Sequence, residues 1–111
     1  MSSVPPPNDA IAELSSSLGD ESARELVEIF LNNFPNVLND LSSGDREQRR
    51  RAAHSLKSSS HIVGADGLSK RMAALEARLS QPDGEVMAAD IESTVGEFER
   101  VAVSLRAYAK Q

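Results

Sequence analysis

The chain has no cysteine and no tryptophan, and aromatic residues make up only 4% of it. Without thiols there is no disulfide scaffold, no thiol nucleophile and no thiolate metal site. With so few aromatics the core must be built from Leu, Ile, Val, Met and Ala, a set that suits helices better than a sheet sandwich. No apolar run approaches the roughly 18 residues a membrane-spanning helix needs, and no secretory apolar segment follows Met1. A glycine loop of the kind that cradles phosphates is also missing. Lys and Arg number 12 against 17 Asp and Glu, and the formal charge of −5 argues against broad electrostatic binding to nucleic acid.

What remains is a chain of 111 residues, 40% hydrophobic and 26% charged, which is the balance of one globular domain. The expectation is a cytoplasmic monomer with neither a membrane nor a nucleic acid as partner. An independent ATP-dependent enzyme does not fit this size, so any chemistry must borrow most of its apparatus.

Met1 to Pro7 reads as a flexible, proline-rich leader, and residues 8–111 as a single helical domain. Asn8 or Asp9 caps a short first helix carrying Ile11, Leu14 and Leu18, and Gly19 ends it. Asp20 is placed to cap a longer helix with Leu26, Phe30, Val37, Leu38 and Leu41 on one stripe. Pro35 falls inside that stripe and is expected to kink or split the helix near Leu31. Asp45, after the turn at Ser42–Gly44, caps a third helix in which Ala53, Leu56, Ser60 and Val63 share a side. Gly64 stops it. Asp66 is placed to cap a fourth helix with Leu68, Met72, Leu75 and Leu79 in heptad spacing. The turn Gln81–Gly84 leads to a last helix bearing Met87, Ile91, Val95, Phe98, Ala102 and Leu105. The fold class is therefore all-α: an antiparallel up-down-up-down four-helix bundle with a short additional N-terminal helix.

One residue stands apart from the core pattern. At about 100° per residue, His54 projects roughly 150° from the middle of the Ala53, Leu56, Ser60 and Val63 stripe. It belongs to the outer face, with Arg50, Lys57, Ser58 and His61. A lone histidine on such a face is ordinarily a solvated surface residue. Two features set this one apart: Lys57 lies three residues on, and Ala53, Ser58 and Ser59 are small enough to leave the ring uncrowded. An exposed neutral imidazole beside a cation is able to accept a phosphoryl group, because its unprotonated nitrogen is a nucleophile near neutral pH.

The run AHSLKSSSHIVG from Ala53 to Gly64, then Ala65, Leu68 and LEARL at Leu75–Leu79, resembles a histidine-containing phosphotransfer domain. The lead-in LGDESARELVEIFLNNFPNVLNDLSSGD is similar as well, so the resemblance covers nearly all of the chain past the leader. It implies that His54 is phosphorylated on Nε2 and that Lys57 steadies the phosphoryl group. It implies further that Gly64 closes the active-site helix. Glu76, on the neighbouring helix, is placed either to orient the imidazole or to lie as a solvated flank of the heptad. Ser58 stands where the family most often has glycine; one small hydroxyl there preserves access while altering the detail of docking.

Other residues take supporting places. His61 lies two turns from His54, roughly 10 Å along the axis, too far for the pair to share one metal ion, and reads as a rim residue of the docking surface. Arg50, one turn before His54, is placed to attract an acidic partner, the other reading being a solvated helix face balanced by the acidic remainder. The resemblance extends the docking patch to Ile11 and Leu14 on the first helix. It implies a phosphorelay intermediate with no cofactor of its own, whose partners are receiver domains of response regulators or hybrid histidine kinases. Mg²⁺ is expected in the partner receiver. Two alternatives stand beside this reading: a phosphoacceptor module that is the substrate of a separate histidine kinase, and a non-catalytic helical adaptor in which His54 is incidental.

Overall fold

Local side-chain chemistry sets the start of some helices and not of others in the computed structural model, which describes residues 4–110. The first three residues of the leader and Gln111 lie outside the described residues; Val4–Pro7 are not helical. Among the described residues there are five helices and no strand: α1 (Asp9–Leu18), α2 (Asp20–Ser43), α3 (Arg46–Ile62), α4 (Asp66–Leu79) and α5 (Ala88–Ala109). Asn8 caps α1 by accepting from the Ile11 amide at 2.9 Å. Asp45 caps α3 in a reciprocal box with Gln48, each side chain bonding the other's backbone amide.

Two expected caps are placed differently. Gly19 alone separates α1 from α2, with φ of 92°, a conformation that favours glycine. Asp20 therefore falls inside α2, where it accepts from Ser15 and Tyr108 and pairs with Arg24 instead of capping. Asp66 likewise sits inside α4, and Ala65 precedes the helix without a side-chain cap. Helix α2 runs unbroken through Pro35, so it is not split. Phe30 and Phe34 before the proline and Leu41 after it are all anchored in the same core, which holds the two halves together across the missing hydrogen bond.

Helix α3 packs against α4 and α2, α5 packs against α2 and more lightly against α4, and α1 lies on α2. The expected stripes of α3 and α4 are buried to the last residue: Ala53, Leu56, Ser60 and Val63 on one, Leu68, Met72, Leu75 and Leu79 on the other. In α2 the deepest positions are Ala23, Val27, Phe30, Phe34 and Leu41, while Leu26, Val37 and Leu38 are half-buried. Helix α5 buries Thr94, Phe98, Ala102, Leu105 and Tyr108, whereas Met87 and Leu18 are exposed. Phe98 stacks on Phe34 with ring centroids 3.7 Å apart and meets Phe30 at 6.0 Å, so all three phenylalanines of the chain join α2 to α5.

Candidate functional site

Helix α3 is pinned at both ends. At its start the Arg46 guanidinium donates to the Leu79 and Gly84 carbonyls, at 3.0 and 2.9 Å. At its end the Gly64 amide donates to the His61 carbonyl and the Ala65 amide to the Ser60 carbonyl, the paired bonds of a Schellman stop. That stop needs Gly64 at φ 77°, and a β-carbon there would lie 2.3 Å from the Asn8 side chain. The same Asn8 amide donates to the Val63 carbonyl at 2.9 Å, so one side chain both caps α1 and ties it to the end of α3. A helix fixed at two ends and buried along one stripe presents its opposite face as a rigid surface.

His54 stands on that surface with 60% of its side chain exposed. Its Nδ1 lies 2.7 Å from Glu76 Oε2, and Lys57 Nζ lies 2.6 Å from Glu76 Oε1. Glu76 comes from α4 and is only 18% exposed. Its carboxyl group is held below the usual range, first by the Lys57 hydrogen bond, which outweighs the opposing effect of burial, and then by His54. An ionised carboxylate only accepts hydrogen bonds, so the close contact with His54 requires a hydrogen on Nδ1. In the neutral ring that leaves the lone pair on Nε2, the nitrogen farther from Glu76. The alternative of a solvated Glu76 is thereby replaced by a bridging role between two side chains of α3.

The remaining candidates divide. Ser58 is exposed beside His54 and leaves it uncovered. Arg50 is taken up by Glu47 of its own helix at 2.7 Å, and that carboxylate holds the guanidinium more firmly protonated. His61 is 79% exposed, with a ring nitrogen 3.8 Å from Asp66. Ile11 does not belong to a docking patch: it is completely buried, because its face of α1 turns into the core, and Leu14 is half-buried against the same core. The apolar surface near His54 lies elsewhere. An open groove of about 210 Å³ runs between α2 and α3, lined by Leu26, Ile29 and Val37 on one side and Ser55, Ser59 and Ile62 on the other. Ile29 and Ile62 are half exposed on its rim. Sequence patterning misses this groove because it treats each helix alone, and the outward isoleucines are its one visible sign.

Among the described residues no three His, Cys, Asp or Glu side chains come together as a metal-ligand set, and no helix is long and apolar enough to cross a membrane. No curated protein and no solved structure matches the chain. The family model for the Hpt domain does match, over residues 25–108, a span that holds α3, α4 and every member of the His54, Lys57 and Glu76 cluster. This chain belongs to the Hpt domain family, whose members carry out histidine phosphotransfer in phosphorelays and interact there with receiver domains.

Proposed function

We propose that His54 is the phosphoacceptor through which this Hpt domain relays a phosphoryl group between receiver-domain aspartates. The observation that carries the reading is the ring itself: exposed on a rigid helix, held at Nδ1 by Glu76 at 2.7 Å, with Nε2 left as the nucleophile. Nε2 attacks the phosphorus of a receiver's aspartyl phosphate; the N–P bond forms as the acyl O–P bond breaks, and the aspartate carboxylate leaves. A second receiver aspartate reverses the step. The developing positive charge on the ring is met by Glu76, which accepts from Nδ1 throughout. The Mg²⁺ that phosphoryl transfer requires is supplied by the receiver, so each partner brings part of one shared active site.

The groove beside His54 is the place for the receiver to dock. Ser55 and Ser59 connect it directly to the histidine face, and Ile29 and Ile62 offer exposed apolar contacts of the kind that anchor an interface. Arg50 and His61 fall on the rim. We read α2–α5 as an up-down-up-down bundle with α1 added at one end. The bonds from the start of α3 to the end of α4, through Arg46, and from the end of α5 to the start of α2, through Tyr108, support that course. Gly64 and Asn8 act by fixing the end of α3.

Incubation with a receiver carrying ³²P on its aspartate tests the proposal. The wild-type chain gains an acid-labile, alkali-stable label, and His54→Gln gains none. Label on His54→Gln overturns the site assignment. Label from a histidine kinase but never from a receiver favours the substrate-module reading, and no label from either source favours the adaptor.

A further inference from the structure

We propose that the Ser58 hydroxyl binds the phosphoryl group carried by His54, donating a hydrogen bond to one of its oxygens. The inference rests on the reading of His54 as phosphoacceptor and names a contact made only after phosphorylation. Glu76 holds Nδ1 from the α4 side, where it also meets Lys57, so Nε2 is turned to the other side of the ring. At about 100° per residue, Lys57 lies about 60° to one side of His54 around α3, and Ser58 about 40° to the other. Ser58 is also one turn on from His54, a spacing that brings two side chains to one patch of helix surface. Side chains on a helix lean toward its N-terminus, so the Ser58 hydroxyl is carried toward the turn that bears His54.

That hydroxyl is uncommitted. Ser42, Ser43, Ser80 and Ser104 each donate to a backbone carbonyl in the preceding turn. Ser58 is exposed and has no hydrogen-bond partner among the described residues. Ser55 is exposed too, but as the next residue after His54 it points about 100° away from the ring. The cations nearby have partners: Lys57 meets Glu76 at 2.6 Å and Arg50 meets Glu47 at 2.7 Å. Arg51 shares the Ser58 side of α3 but sits one turn toward its start, 4.0 Å from the same Glu47. A phosphoryl group on Nε2 therefore brings three strong acceptor oxygens to a face where a hydroxyl waits without an acceptor. Loss of that group to water passes through a loose, metaphosphate-like transition state, in which the oxygens carry less charge than in phosphohistidine. A donor on those oxygens holds the phosphohistidine more firmly than the transition state, and so prolongs its life.

The test uses the full chain, phosphorylated with phosphoramidate and then freed of the donor, with no receiver present. In the loading step the Nε2–P bond forms as the donor's P–N bond breaks and ammonia leaves. In the decay step water attacks the phosphorus, the Nε2–P bond breaks with its electron pair returning to the ring, and inorganic phosphate is released. The half-life of the phosphohistidine is followed by ³¹P spectroscopy in the wild type, Ser58→Ala and Ser58→Thr. Ser58→Ala is expected to shorten it by about fivefold, the effect of losing one exposed hydrogen bond to a charged group. Ser58→Thr keeps the hydroxyl and stays within about twofold of the wild type. The melting temperature of unphosphorylated Ser58→Ala does not fall, because the hydroxyl bonds nothing before the phosphoryl group arrives. A half-life unchanged in Ser58→Ala, or one as short in Ser58→Thr as in Ser58→Ala, overturns the inference and leaves Ser58 as surface bulk. A lower melting temperature also overturns it, since the hydroxyl is then already committed within the fold. A wild-type chain that takes no phosphate on His54 overturns instead the reading on which the inference rests.

Discussion

At the scale of single residues, the site depends on a carboxylate that stays ionised in a half-dry setting. Glu76 is held below its ordinary value of 4.5, first by Lys57 and then, against burial, by His54. Its ionised form is therefore favoured more by the folded chain than by the unfolded one. That contribution to stability is full above pH 4.5 and is lost as pH falls through the lower folded value. Asp20, held below 3.8 chiefly by the Tyr108 hydroxyl, adds a second loss at more acidic pH. Melting temperature should stay level from pH 7 to about 5 and then fall, and Glu76→Gln should flatten the first part of the fall. An acid slope unchanged by Glu76→Gln contradicts this account of the carboxylate. The histidine and lysine of the site are legible in the sequence because they sit three apart on one helix. Glu76 is only half legible: its place on the next helix is visible, but its contact with both residues requires the register between α3 and α4.

At the scale of elements, helix α3 shows why some boundaries can be read from sequence and others cannot. Asp45 with Gln48, and Gly64 with its left-handed turn, act within a few residues, and both ends are found where the pattern puts them. The bond from Asn8 to Val63 spans 55 positions and leaves no local trace. The groove proposed for docking is similarly non-local, since half of its lining comes from α2. Its role can be tested without disturbing the core, because Ile62 is 50% exposed. Ile62→Asp should leave the helical signal and the melting temperature nearly unchanged, as exposed substitutions usually stay within about 0.5 kcal/mol. Receiver binding, measured calorimetrically, should weaken by about tenfold or more. Undiminished binding means that the receiver docks on another face.

At the scale of the whole molecule, α5 closes the structure against α2. The three phenylalanines join their middles, and the Tyr108 hydroxyl donates to Asp20 at 2.8 Å, linking residues 88 positions apart. Helical periodicity places Phe98, Ala102 and Leu105 correctly in the core, but not the tyrosine that ends the stripe: its polar tip finds a carboxylate only once both helices are in place. Met87, expected at the head of the same stripe, precedes the helix and is exposed, while Thr94 enters the core by giving its hydroxyl to the Asp90 carbonyl. Tyr108→Phe keeps the ring and removes the hydroxyl, and should cost about 1 kcal/mol in denaturant unfolding. A neutral result assigns the closure to ring packing alone.

The central claim, that a rigid bundle presents Nε2 of His54 for phosphorylation, is tested most directly by locating the phosphate after transfer from a receiver. Peptide mapping with ³¹P spectroscopy of the intact chain identifies both the residue and the ring nitrogen. The expected result is a single phosphohistidine at His54, bonded through Nε2. Phosphate on Nδ1, on His61, or on no histidine at all contradicts it.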